Sequence, residues 1–187
     1  MIGAARAINV GEIDQATAVK GRVADPALAP MIDRIIQDHR AALQSLDQVS
    51  TQLGLVAEES ELTKELQEDS QKKTDELAAK QGDELADEFL DAQIDGHERA
   101  IESIDDTLMP ATAEPALQQY LTELRGLVVA HLEMAKGFKD RSHGRADDTG
   151  RTGETMPPNE ALPPNETAPP SDATRDTAPS GEPIAPR

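Results

Sequence analysis

The chain contains no cysteine and no tryptophan. Without a thiol there is no disulfide, no thiolate metal site, no iron–sulfur cluster and no cysteine nucleophile. Phe89, Tyr120 and Phe138 are its only aromatic residues, so any core must be built from Leu, Ile, Val, Met and Ala. Such a core suits helix packed on helix and argues against sandwiches and barrels, which draw on aromatic and β-branched side chains. No stretch approaches the roughly 20 apolar residues that a helix needs to cross a bilayer. The apolar run at the start is short and broken by Arg6 and Asn9, so it does not read as a secretory leader. The expectation is a cytoplasmic protein or a chain whose leader is not included. Basic residues are also scarce: 18 Lys and Arg stand against 36 Asp and Glu, for a formal net charge of −18. So acidic a surface repels nucleic-acid phosphates and anionic headgroups, and neither a nucleic acid nor a transmembrane segment is expected. There is no glycine-rich phosphate loop, no HExxH and no nucleophile elbow.

What the chain does contain divides near His143. Residues 144–187 carry nine of the thirteen prolines and a single leucine. A segment of that composition cannot offset its ordering entropy, and a disordered, proline-rich acidic tail is expected there. Residues 1–143 carry apolar positions three and four apart, the pattern of bundle helices. They are expected to form one domain, an all-α antiparallel four-helix bundle with one accessory helix.

The spacing predicts a first helix over about Ile2–Val23, with Ile2, Ala5, Asn9, Glu12, Ala16, Val19 and Val23 facing inward. Asp25-Pro26 is a cap-and-start signal for a second helix ending at Gly54, with Ile32, Ile35, His39 and Leu46 inward. A third segment, 58–79, has a thin apolar face and is expected to connect across the bundle surface. A fourth helix, about Glu84–Leu108, turns Leu85, Phe89, Gln93, His97 and Ile104 inward. A fifth, about Ala116–Asp140, carries Leu117, Leu121, Leu124, Val128, His131 and Ala135.

Glu12, His39, His97 and His131 each lie near the middle of a long helix and on its inward stripe. Depth and phase are independent conditions, and both point to the same four residues, so these should share a layer. Burying three imidazoles and a carboxylate costs several kcal/mol unless each is paired. Two readings answer that cost. A hydrogen-bonded polar layer would fix helix register without a metal, and it is the preferred expectation. The alternative is one divalent ion, iron, zinc, manganese or copper, held by Glu12, His39, His97 and His131. Asp38 and Asp95, one and two positions before a histidine, are candidates to accept from outer ring nitrogens or to add oxygen ligands. A heme or other cofactor ranks well below both. No residue is singled out as catalytic, and self-association stays open.

Gly11-Glu12-Ile13, Met31 through Asp38-His39, Asp95-Gly96-His97 and His131-Leu132-Glu133-Met134-Ala135 resemble domain of unknown function 4142. The resemblance covers about residues 1–141. It implies a ferritin-like helical bundle of bacterial origin, of a kind usually exported and often labelled as outer membrane, and hence a periplasmic or cell-envelope location. It also implies that Glu12, the pairs Asp38-His39 and Asp95/His97, and His131 are recurring positions. Two features depart from what the resemblance implies. The chain begins inside its first helix. And the di-iron pattern of ferritins needs a glutamate three residues before each of two histidines, whereas Ile36, Ile94 and Val128 stand there. A mononuclear site is therefore the form a metal would take, and a non-enzymatic envelope bundle is the preferred functional expectation.

Overall fold

A computed structural model describes the backbone of residues 1–148 and the side chains through Arg141. Five helices account for most of it: α1 (Ile2–Val19), α2 (Ala29–Leu53), α3 (Glu61–Ala79), α4 (Gly82–Glu102) and α5 (Pro115–Asp148). Among the described residues there is no sheet, only one backbone bridge between Val23 and Gly82, and no helix is long and apolar enough to cross a membrane. The expected all-α fold of four long helices plus one accessory helix is what the structure shows.

The ends of the helices follow local chemistry. α1 stops at Val19, earlier than its apolar stripe suggests, because Gly21 turns the backbone into the left-handed region at φ 74°. Arg22 then donates to the carbonyls of Ala78 and Lys80 at 3.0 and 2.7 Å, tying this turn to the end of α3. Asp25 accepts from the amide of Ala27 at 2.8 Å and opens a 3-10 turn, Pro26–Leu28, that leads into α2. Gly54, at φ 63°, closes α2 with its amide on the carbonyls of the last turn. α3 begins later than its acidic run suggests, because Ser60 caps it by accepting from the amide of Thr63 at 3.1 Å. Beyond α4 the chain continues as a π-helical turn, Ser103–Leu108, where the expectation was unbroken α-helix. Its last bond runs five residues, from the Met109 amide to the Ile104 carbonyl at 2.9 Å. α5 runs through Asp148, past the boundary expected at His143. The side chain of His143 and the tail beyond Asp148, expected to be disordered, lie outside the described residues.

The contacts fix the direction of each helix. Arg6 near the start of α1 pairs with Asp47 near the end of α2, and Lys20 just past α1 pairs with Asp33 near the start of α2, so the two are antiparallel. Ile2, Ala5 and Ile8 cluster with Ile104 and Leu117 at one end, and Val19 with Leu85 and Ala135 at the other. α1 packs against α2 and α4, and α5 packs against the same two. Each of these neighbours is antiparallel, while α2 and α4 run in the same direction. Joining two parallel helices requires the chain to travel back the length of the bundle, and α3 is that return. This is the connectivity of bundles with a single long crossover.

α3 is packed more intimately than its polar sequence suggests. It lies along α1, with Leu77 and Thr63 buried. Small residues allow the approach: a side-chain carbon on Gly11 would stand 2.5 Å from Ser70 Oγ, and one on Gly3 would stand 2.4 Å from the carbonyl oxygen of Glu58.

The interior is not one continuous apolar volume. One cluster gathers Val19, Ile32, Ile35, Leu85, Phe89 and Ala135; a second gathers Ile8, Leu46, Ile104, Leu121, Leu124 and Val128. Between them lies a polar layer.

Candidate metal centre

The layer consists of His39 from α2, His97 from α4 and His131 from α5, with Glu12 from α1 beside them. His39 and His97 have no exposed surface, and His131 and Glu12 retain 2% and 5%. The three imidazoles form a triangle with ring centroids 5.9, 5.2 and 5.5 Å apart. Midpoints and inward phases therefore do place these side chains at one level.

Each ring is oriented from behind. His97 Nδ1 donates to the Gln93 carbonyl at 2.7 Å, one helical turn earlier. His131 Nε2 donates to Asp38 Oδ2 at 3.1 Å. His39 Nδ1 lies 3.0 Å from Asn9 Oδ1. The amide of Asn9 is itself oriented, because its Nδ2 donates to the Ala5 carbonyl at 2.7 Å and to the Tyr120 hydroxyl at 3.0 Å. Its oxygen must therefore accept from His39. These contacts assign the protonated nitrogen of each neutral ring. The other nitrogens, His39 Nε2, His97 Nε2 and His131 Nδ1, are buried acceptors without any hydrogen-bond partner. One ligand nitrogen from each ring lies within 4.8 Å of the other two. Among the described residues, these three histidines are a group whose geometry could hold an ion.

The electrostatics follow from burial. His39 lies well below the ordinary imidazole range, first because of desolvation and then because His97 and His131 are nearby. Desolvation takes His97 down to about 4, against the opposing bond to the Gln93 carbonyl. His131 is lowered by desolvation too, with Asp38 opposing. At His131 desolvation outweighs the carboxylates of Asp38 and Glu12. Glu12 is pushed by burial to about 7, although the Gln93 side-chain bond and His131 favour its charged form. For Asp38, burial raises the value, but hydrogen bonds from Arg34 and His131 outweigh it and hold the carboxyl below its usual range.

The other candidates divide. Glu12 belongs to the layer but sits behind a ring: Oε1 is 3.5 Å from His97 Nδ1, and Oε2 accepts from Gln93 Nε2 at 3.0 Å. Asp38 does accept from a ring nitrogen, that of His131 on another helix rather than its neighbour His39. Asp95 corrects the expectation placed on it. It is exposed, because two residues along a helix is about 200° around it, and the carbonyl of Gln93 bonds the outer nitrogen of His97 instead. Ile36 and Val128, three residues before histidines, are buried among apolar neighbours, and Ile94 packs against the apolar core. A second metal would find no bridging carboxylates there. Sequence reasoning did not assign roles to Asn9 and Gln93, although each is a polar residue on an inward stripe one turn from a layer residue, and that is a readable signal.

No curated protein and no solved structure matches the chain. A family does: residues 1–138 match the family described as domain of unknown function (DUF4142), and the chain belongs to it.

Proposed function

We propose that the protein binds one divalent transition-metal ion through His39, His97 and His131. The observation that carries this reading is the set of three buried ring nitrogens, each with a free lone pair and none with a donor. An unsatisfied buried acceptor costs about 1–3 kcal/mol. A water molecule has two protons to donate and cannot satisfy three acceptors. Protonating a ring is opposed by the burial that lowers all three. A cation serves all three nitrogens at once. This moves the balance from the metal-free structural layer to the metal-binding alternative.

The donor chemistry narrows the ion. Three neutral imidazoles suit zinc or copper better than manganese, which favours oxygen ligands. Zinc–nitrogen bonds of about 2.0–2.1 Å put tetrahedral donors roughly 3.3–3.4 Å apart, so the rings would close by about 1 Å or somewhat more on binding. Asp38 and Glu12 flank the triad; Asp38 is already paired with Arg34 at 2.6 Å, so Glu12, whose charged form a bound cation would favour, is the carboxylate left to offset a divalent ion. Three protein ligands leave a position free for a further ligand. The cell-envelope location implied by family resemblance is part of the same proposal.

Metal analysis of the full chain after incubation with zinc or copper and removal of excess ion tests the reading. The expected result is about one ion per chain, lost in His39→Ala and in His131→Ala. A parent protein that retains neither ion, and takes up no iron or manganese in the same assay, would leave the layer as a structural device.

A further inference from the structure

Among the described residues, two openings are lined by residues of the polar layer, and they differ in which oxygen atoms are left free. The groove between α2 and α5 is lined by Arg34, Asp38 and the buried His131. Asp38 is already engaged there by Arg34 Nε at 2.6 Å and by His131 Nε2 at 3.1 Å. An incoming cation would meet a guanidinium and the protonated side of an imidazole.

The cleft between α1, α3 and α4 has a volume of about 160 Å3, and Glu12 and Gln15 are among its lining residues. These two are acceptors. Gln15 is 5% exposed, and its Oε1 is buried without a partner. Glu12 Oε1 stands 3.5 Å from His97 Nδ1, and the charge of Glu12 is also felt at His131. Gly96 leaves space for that carboxylate, since a side-chain carbon there would come within 3.2 Å of Glu12 Oε1. The two cationic residues lining the cleft are neutralised locally: Arg99 by Asp69 at 2.6 Å, and Lys73 by Glu76 at 3.0 Å and Glu88 at 3.4 Å. A cation entering here meets the unpartnered Gln15 Oε1 and then the Glu12 carboxylate, whose Oε2 accepts from Gln93 Nε2 at 3.0 Å and whose Oε1 is not taken up by a cationic side chain as Asp38 is by Arg34.

We propose that the cleft between α1, α3 and α4 is the path by which a divalent cation reaches the histidine triad, with Glu12 and Gln15 as its transfer site. This rests on the metal-binding reading. Oxygen ligands from a carboxylate and an amide hold a hydrated divalent ion weakly, and three imidazoles hold it more tightly, so transfer runs toward the triad.

Stopped-flow mixing of the metal-free full chain with zinc, followed with a zinc indicator dye, tests the path. Glu12→Gln keeps the shape and removes the charge, and loading is expected to slow by about tenfold or more. Gln15→Leu is expected to slow it several-fold, and Arg34→Gln, on the other opening, to leave it unchanged. Final occupancy at saturating zinc is expected to match the parent in Gln15→Leu and Arg34→Gln, with circular dichroism confirming that all three variants are folded. A parent that takes up neither zinc nor, in the same assay, copper or iron overturns the binding reading and the path with it. A parent that loads while Glu12→Gln and Gln15→Leu load at the same rate overturns the path alone, as does faster loading by Arg34→Gln.

Discussion

Phe89 and His97 stand about two turns apart on α4, and neither has exposed surface. Phe89 sits in the apolar cluster with Leu85 and Ile35. Its burial is favourable in itself and needs no particular partner. His97 is in the layer between the two apolar clusters, and its burial is unfavourable until every polar atom is engaged. One nitrogen is engaged and one is not. The same helix thus carries a residue that stabilises the fold unconditionally and one whose contribution depends on what occupies the centre of the bundle.

The sharpest way to break that comparison is to remove the apolar member. Phe89→Ala should destabilise the metal-free protein by about 3–5 kcal/mol, from lost burial and the cavity left behind. Urea unfolding reads this directly. A change below about 1 kcal/mol would mean that the cluster around Phe89 is not the well-packed core described above.

The next effect belongs to the layer. A ligand that binds only the folded state adds about 2.7 kcal/mol at a hundredfold excess over its dissociation constant. Zinc at that excess should raise the unfolding free energy of the parent accordingly. His97→Leu should abolish the gain while leaving the metal-free protein about as stable as the parent, because an apolar replacement removes an unsatisfied acceptor. Equal zinc stabilisation in parent and variant would show that the ion binds elsewhere, for instance on the acidic surface.

How much of this could be read beforehand differs between the two regions. The apolar positions repeat every three to four residues, so Leu85, Phe89, Ile104, Leu121 and Val128 were identifiable as core. The same periodicity brought Glu12, His39, His97 and His131 to one level. What it could not supply was the atom-level pairing. Which nitrogen of His39 is free depends on Asn9, whose orientation depends in turn on Tyr120, 111 residues away in sequence. Asp95 is only two residues from His97 in sequence but remote in angle, whereas Asp38 reaches a histidine 93 residues away. The packing of α3 was hidden for another reason: it relies on Gly3, Gly11 and Ser70, small residues that leave no apolar stripe. The early end of α1 turns on a left-handed glycine that periodicity does not register.

A smaller effect concerns acidity in the metal-free protein. The histidines have unfolded values near 6.5 and lower folded ones, reaching about 4 for His97. Their neutral state favours the fold fully above about pH 6.5, and that contribution is lost as pH falls through the window toward 4. Glu12 has the opposite sign. Its folded value of about 7 lies above the ordinary 4.5, so its contribution is full below 4.5 and fades as pH rises toward 7. Three lowered histidines outweigh one raised glutamate, and the urea midpoint in the presence of chelator should rise from pH 4.5 to 6.5. Glu12→Gln should steepen the rise. A midpoint that falls over this interval would mean that the rings are not held neutral.

The smallest expected effect tests whether the layer is oriented from a distance. The Tyr120 hydroxyl accepts from Asn9 Nδ2, and Asn9 Oδ1 receives the proton of His39 Nδ1. Tyr120 is buried, and burial pushes its phenol further from ionising. Tyr120→Phe keeps the ring and deletes this one acceptor, at a cost of about 0.5–1.5 kcal/mol. Asn9 retains its bond to the Ala5 carbonyl, so its amide should not turn over completely. Zinc affinity should fall modestly, by less than tenfold, whereas Asn9→Leu, which removes the acceptor of His39 outright, should lower it by about 10–100-fold. Isothermal titration of the two variants separates these outcomes. If Asn9→Leu binds zinc as tightly as the parent, His39 is positioned by packing alone, and the hydrogen-bonded frame behind the triad has no role in holding the ion.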